Sequence, residues 1–154
     1  MINQLGWLGQ FKVKTTNKET GNVSEEVVNN RITNNALDKI INILDNIDPN
    51  LDIKYLAIGT GTTALNDADT TLVTEIFRTQ FVTSNNTSVG EFTTEFAILD
   101  SEAIATWGEI GIFCGDSATS SADTGVMLSR ILFTKTKTSL EEVTITRIDR
   151  VSRA

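Results

Sequence analysis

The chain of 154 residues contains no histidine. That absence removes the commonest general base, the commonest zinc ligand and every Ser-His-Asp or Cys-His arrangement. One cysteine, Cys114, excludes an intrachain disulfide and any cysteine-rich metal centre. Proline occurs once, at Pro49, and aromatic residues make up 6% of the chain, few for a surface that stacks sugars or bases. No run approaches the ~18 apolar residues of a membrane helix, and the first residues lack the basic and apolar regions of a secretion signal. Basic residues number 13 against 20 acidic ones, a formal charge of −7. A body of that sign repels phosphate backbones, so neither nucleic acid nor membrane is expected as a partner. These absences leave little room for an enzyme, and no cofactor or metal is expected.

What remains is an ordinary globular composition whose period changes along the chain. In residues 1–50 one short strand and one helix are expected. Phe11 and Val13 alternate with lysines over residues 10–14, the pattern of a half-exposed strand. A turn follows at residues 18–22. Thr33, Asn34 and Asn35 offer N-cap oxygens to a helix carrying Leu37, Ile40, Ile41 and Leu44 at i, i+3, i+4 and i+7. Asn46 and then Asp48-Pro49-Asn50 should end it. This first part reads as an N-terminal arm, strand and helix that dock onto or cap a β domain.

Residues 51–154 read as strands almost throughout. Strands are expected at 53–58, 75–83, 89–99, 107–113, 126–134 and 142–151, with a turn at 84–88 and a long Ser/Thr/Asp/Gly loop at 115–125. Six strands joined by turns predict a mainly β chain, an antiparallel β-sandwich with one N-terminal α-helix.

Several residues invite chemical readings. Gly59-Thr60-Gly61 after an apolar strand has the letters of a dinucleotide loop, but no helical stripe follows to present its N-terminus to a phosphate; a glycine turn is the simpler reading. Asp67 and Asp69 could offer oxygens to calcium, yet the glycine and distal glutamate of such a loop are missing, and an Asx turn fits better. Glu91, Glu95 and Glu109 could supply a glycosidase pair, but Glu91 and Glu95 share the polar face of their strand. Cys114 ends an apolar run and reads as a small buried hydrophobe. Charges at Arg78, Glu109 and Arg130 interrupt apolar strands; an unpaired buried charge is costly, so Glu109 should pair with Arg78 or Arg130 as a structural ion pair. Leu5, Trp7 and Leu8 either tuck under the domain or dock into a neighbour. Arg147, Arg150 and Arg153 form a basic tail on an acidic body, either an electrostatic contact for a neighbouring subunit or a solvated strand end.

The series Tyr55-Leu56-Ala57-Ile58-Gly59-Thr60-Gly61-Thr62-Thr63-Ala64, then Glu75-Ile76-Phe77-Arg78, Glu109-Ile110-Gly111-Ile112-Phe113, Met127-Leu128-Ser129-Arg130-Ile131-Leu132-Phe133 and Glu142-Val143-Thr144-Ile145-Thr146 resembles small structural proteins of tailed bacteriophages and prophages. The resemblance runs from about Gly21 onward and marks a fold, not a catalytic site. It implies a non-enzymatic virion component made in the host bacterial cytoplasm, of the head decoration or neck and collar kind. Its partners would be capsid, neck or tail subunits and, as a homo-oligomer, other copies of itself. A tail-fibre or baseplate-associated module that binds a receptor or carbohydrate is the alternative.

Overall fold

The computed structural model describes residues 5–47 and 50–153. The chain runs β1 (Leu5–Asn17), β2 (Val23–Asn29), β3 (Arg31–Ile32), α1 (Asn34–Leu44), β4 (Ile53–Gly59), β5 (Glu75–Gln80), β6 (Thr83–Ser88), β7 (Glu91–Ile98), β8 (Thr106–Cys114), β9 (Val126–Thr136) and β10 (Glu141–Arg153). The strands form two five-stranded antiparallel sheets, β2-β1-β10-β7-β6 and β3-β9-β8-β4-β5. The molecule is therefore a mainly β sandwich, with a single helix among the described residues. No helix among the described residues is long and apolar enough to cross a membrane.

Period-2 patterning builds the interior. Phe11 and Val13 of β1, Val143 and Ile145 of β10, and Phe96 and Ile98 of β7 turn inward from the first sheet. Leu56 and Ile58 of β4, Ile110 and Ile112 of β8, and Leu128 and Ile131 of β9 meet them from the second. Trp107 is fully buried and donates its indole N–H to the Ala103 carbonyl at 2.8 Å. Burying side chains of this size contributes roughly 1.5–3 kcal/mol each, which drives the two sheets together.

Residues 1–50, expected to dock onto or cap a separate β domain, instead supply strands from Leu5 onward: β1 and β2 to the first sheet and β3 to the second. β1 pairs with β10 along its whole length, Leu5 opposite Arg153 through Asn17 opposite Glu141. Three strands, β2, β3 and β6, have no counterpart among the expected ones; β6 occupies the supposed turn at 84–88.

The helix begins and ends by ordinary capping rules. Thr33, extended, accepts a hydrogen bond from the Ala36 N–H, and Asn46 takes a left-handed φ of 55° after the last turn. The expected Asp48-Pro49 stop lies outside the described residues. The helix packs on β9 through Ala36, which is buried. Three of the four residues of its predicted apolar stripe turn to solvent, Leu37 49%, Ile41 63% and Leu44 80% exposed, while the fourth, Ile40, is half-buried.

The outer face of the second sheet is also covered, by the segments 60–74 and 115–125. Ala57, Leu72, Phe113 and Met127 make a small second core there. Both faces of β8 are consequently buried, and Glu109, Gly111 and Phe113 lie under loops instead of meeting solvent.

Lys137 follows β9 and is 1% exposed; its ammonium donates to the carbonyls of Asp100 (3.0 Å) and Thr138 (3.4 Å). Burial pushes its pKa below the ordinary 10.5. An unfolded chain then binds a proton that the folded one releases, so stability rises with pH across the interval below 10.5. Urea titrations of wild type and Lys137→Met should show the wild type gaining on the variant as pH climbs through that interval and levelling off above it. A flat difference would show that the amine carries no burial penalty.

Candidate interaction surfaces

The charged residues singled out from the sequence fall into three places. The first is a pin under the segment 60–74. Glu109 is fully buried on β8, and its carboxylate accepts four hydrogen bonds: from the backbone N–H groups of Gly61 (3.1 Å), Val73 (3.2 Å) and Thr74 (3.0 Å), and from Arg130 Nε at 2.7 Å. Arg130, 2% exposed, extends the pin by donating to the Thr63 carbonyl (2.9 Å) and Asp69 Oδ2 (2.9 Å). The glycine motif now has a steric cause. A Cβ on Gly59 or Gly61 would lie 2.5 or 2.4 Å from Glu109 Oε1. The motif lets a loop backbone close over a carboxylate, and no helix begins there to receive a phosphate.

Of the two partners expected for Glu109, the structure brings Arg130. Arg78 turns instead to Glu75, three residues earlier, at 2.6 Å. Its guanidinium also stacks over Phe113, 4.6 Å from the ring centroid, and donates to the carbonyls of Thr119 and Thr124, tying down the loop 115–125. Asp67 pairs with Arg31 and Asp69 with Arg130, so both carboxylates belong to fold contacts. Among the described residues no group of three or more His, Cys, Asp or Glu could hold a metal ion.

The second place lies between the sheets at one end. Arg147 does not join Arg150 and Arg153 in the basic surface tail expected from the sequence: it is fully buried. The alternation that turns Val143 and Ile145 inward turns Arg147 and Asp149 inward too. The guanidinium makes a two-pronged contact with Asp149 (Nε–Oδ2 3.0 Å, Nη2–Oδ1 2.6 Å), donates to Ser129 Oγ at 2.8 Å and lies 4.8 Å from the Phe11 ring centroid. Trp7 completes this cluster by donating its indole N–H to Asp149 Oδ1 at 2.9 Å. Burial among these residues also pushes the Cys114 thiol pKa far up, making it a poor nucleophile. Arg150 is partly exposed and pairs with Glu91 at 2.5 Å, while Arg153 is exposed.

Leu5, Trp7 and Leu8 do not leave the domain as an arm. Leu5 opens β1 and its side chain lies outside the described set; Trp7 points inward and Leu8 is exposed. Beside Trp7 lies a groove of about 630 Å³ between the ends of the two sheets, lined by Trp7, Ile53, Gln80, Phe81, Phe92 and Leu128. The sequence hid it because its aromatics come from three distant segments, residues 7, 81 and 92.

The third place is the solvent side of α1, where Leu37, Ile41 and Leu44 form a stripe flanked by Asp38 and Asp45. No family model, curated protein or solved structure matches the chain.

Proposed function

We propose that the chain is a non-enzymatic structural subunit of a tailed-bacteriophage particle, of the head decoration or neck and collar kind, which works by binding other subunits. The observation that carries this reading is the apolar stripe of α1 turned to solvent. An exposed, contiguous apolar strip beside acidic residues suits a docking face, since scattered single hydrophobes on a surface need no such role. Support also comes from the buried ionic groups. Glu109, Arg130, Glu75, Arg78, Arg147 and Asp149 are each held by partners that fix a loop or the sandwich end, which leaves them as fastenings of a rigid scaffold.

The test is incorporation. Particles grown with the Ile41→Glu/Leu44→Glu variant as their sole source of this chain should purify without it, although the variant folds. A wild-type chain that never co-sediments with particles would sink the reading.

The groove beside Trp7 favours a second reading, a fibre-type module that binds a receptor or carbohydrate. Its volume lies within the ~300–1,000 Å³ of small-ligand sites, and Trp7, Phe81 and Phe92 offer apolar rings. Glycan-array binding abolished by Trp7→Ala would favour this alternative.

A further inference from the structure

We propose that the outer edge of β6 pairs with β6 of a second copy about a two-fold axis, joining the first sheets of two molecules into one continuous sheet. The inference rests on the reading of the chain as an assembling subunit and names the surface through which copies meet.

Four strands lie at sheet rims: β2, β3, β5 and β6. An open rim is a template for another strand, and proteins commonly guard it with charge, proline, bulges or shortness. β3 has two residues. β2 carries Glu25 and Glu26, and self-pairing about its midpoint sets Glu26 against itself. β5 carries Glu75 and Arg78, both engaged under the loop 115–125. β6 reads Thr-Ser-Asn-Asn-Thr-Ser: it has no charge and no proline, and every residue is exposed. Its only guard is a bulge between Asn86 and Ser88. On a chain of net charge −7, a stretch without acidic residues is where two copies approach with least repulsion. The apolar stripe of α1 lacks that property, because antiparallel self-contact there brings Asp38 and Asp45 of one copy beside those of the other.

The strand is also self-complementary. With the axis through Asn85 and the bulged Thr87 left out of the ladder, Ser84 faces Asn86 of the second copy and Thr83 faces Ser88, and just beyond the strand ends Val82, in the bend before β6, comes beside Val89, in the turn to β7. Val82 is 57% exposed and Val89 fully exposed in the single chain. The pairing therefore covers the exposed part of two apolar side chains per copy, and it sets hydroxyl and amide groups opposite one another between them. Such a ladder is short beside the ~1,600 Å² of a standard interface, so the dimer should form at micromolar chain concentration or above.

Sedimentation equilibrium of the purified chain over a micromolar to sub-millimolar range tests this. The wild type should dimerise. Asn85→Lys, which sets two lysines face to face at the axis, should be monomeric with an unchanged thermal midpoint. Val89→Glu should weaken the dimer roughly tenfold, since the altered pair occurs twice, and adding Val82→Lys should restore it. A wild type that stays monomeric, or a dimer indifferent to Asn85→Lys and Val89→Glu, overturns the pairing. Neither result touches the assembling-subunit reading if the chain still enters particles; its absence from particles overturns that reading whatever its state in solution.

Discussion

Glu109→Gln should cost about 3–5 kcal/mol in unfolding free energy, a large share of the ~5–15 kcal/mol that holds a typical domain together. The amide keeps the shape but loses the charge, and its NH2 group, itself a donor, faces donors that a carboxylate oxygen had accepted from. Gly61, Val73 and Thr74 N–H groups and the Arg130 guanidinium all point at this one group. Leaving buried donors unmatched costs roughly 1–3 kcal/mol apiece, less whatever relaxation recovers. Arg130→Met should cost less than Glu109→Gln, because three backbone donors still compensate the carboxylate after the arginine is gone. The double variant should lose less than the sum of the two, as expected for residues of one network. Urea unfolding of all three variants checks the order. A loss below about 1 kcal/mol for Glu109→Gln would show that segment 60–74 does not depend on the pin.

The arginines of β10 should separate widely. Arg147→Met leaves Asp149 charged and buried without its two-pronged partner, and Ser129 and Phe11 lose their contacts to the guanidinium; a loss of about 3–5 kcal/mol is expected. Arg150→Ala removes a partly exposed pair with Glu91 and should cost about 0–1 kcal/mol. Arg153→Ala, at an exposed strand end, should fall within about 0.5 kcal/mol of wild type. Denaturation midpoints at low and high salt provide the check. Salt should erase the small Arg150 effect and leave the Arg147 effect in place, since buried pairs are little screened. Equal effects at the three positions would contradict the burial of Arg147.

The inward faces of the long strands were legible because burial on one side forces alternation. Phe92, Thr94, Phe96 and Ile98 of β7 and Phe11 and Val13 of β1 announce it. β2 and β6 were not legible for the same reason: as rim strands they are almost wholly exposed, so nothing selects an alternating pattern, and Asn and Ser in β6 have the composition of a turn. Backbone pairing to one neighbour makes them strands. The helix was found by its stripe, but a stripe does not say what it faces, and Ala36 alone makes the buried contact with the sandwich. For Glu109 the cost of an unpaired buried charge pointed to a basic partner, but the choice of Arg130 over Arg78 depends on which residues share the face under segment 60–74. Arg147, Arg150 and Arg153 look like one patch only while their closeness in sequence is counted and the strand alternation is not. The spacing of two between Val143, Ile145, Arg147 and Asp149 already put the pair on the inner face, and Ser129 and Trp7, its other partners, lie too far along the chain for any local pattern to reveal. The groove beside Trp7 escaped for the same reason.

The place of β10 governs how the molecule can be made. It lies between β1 and β7, yet it follows every other described strand in the order of synthesis. While the ribosome is still adding residues, the second sheet can already assemble from β3, β9, β8, β4 and β5. The first sheet must wait as two separate hairpins, β2-β1 and β7-β6, each with a bare rim toward the gap that β10 will fill. Closing that gap is a non-local step, of the kind expected to be slow, and a nascent chain held there would expose both rims to neighbours on the same message.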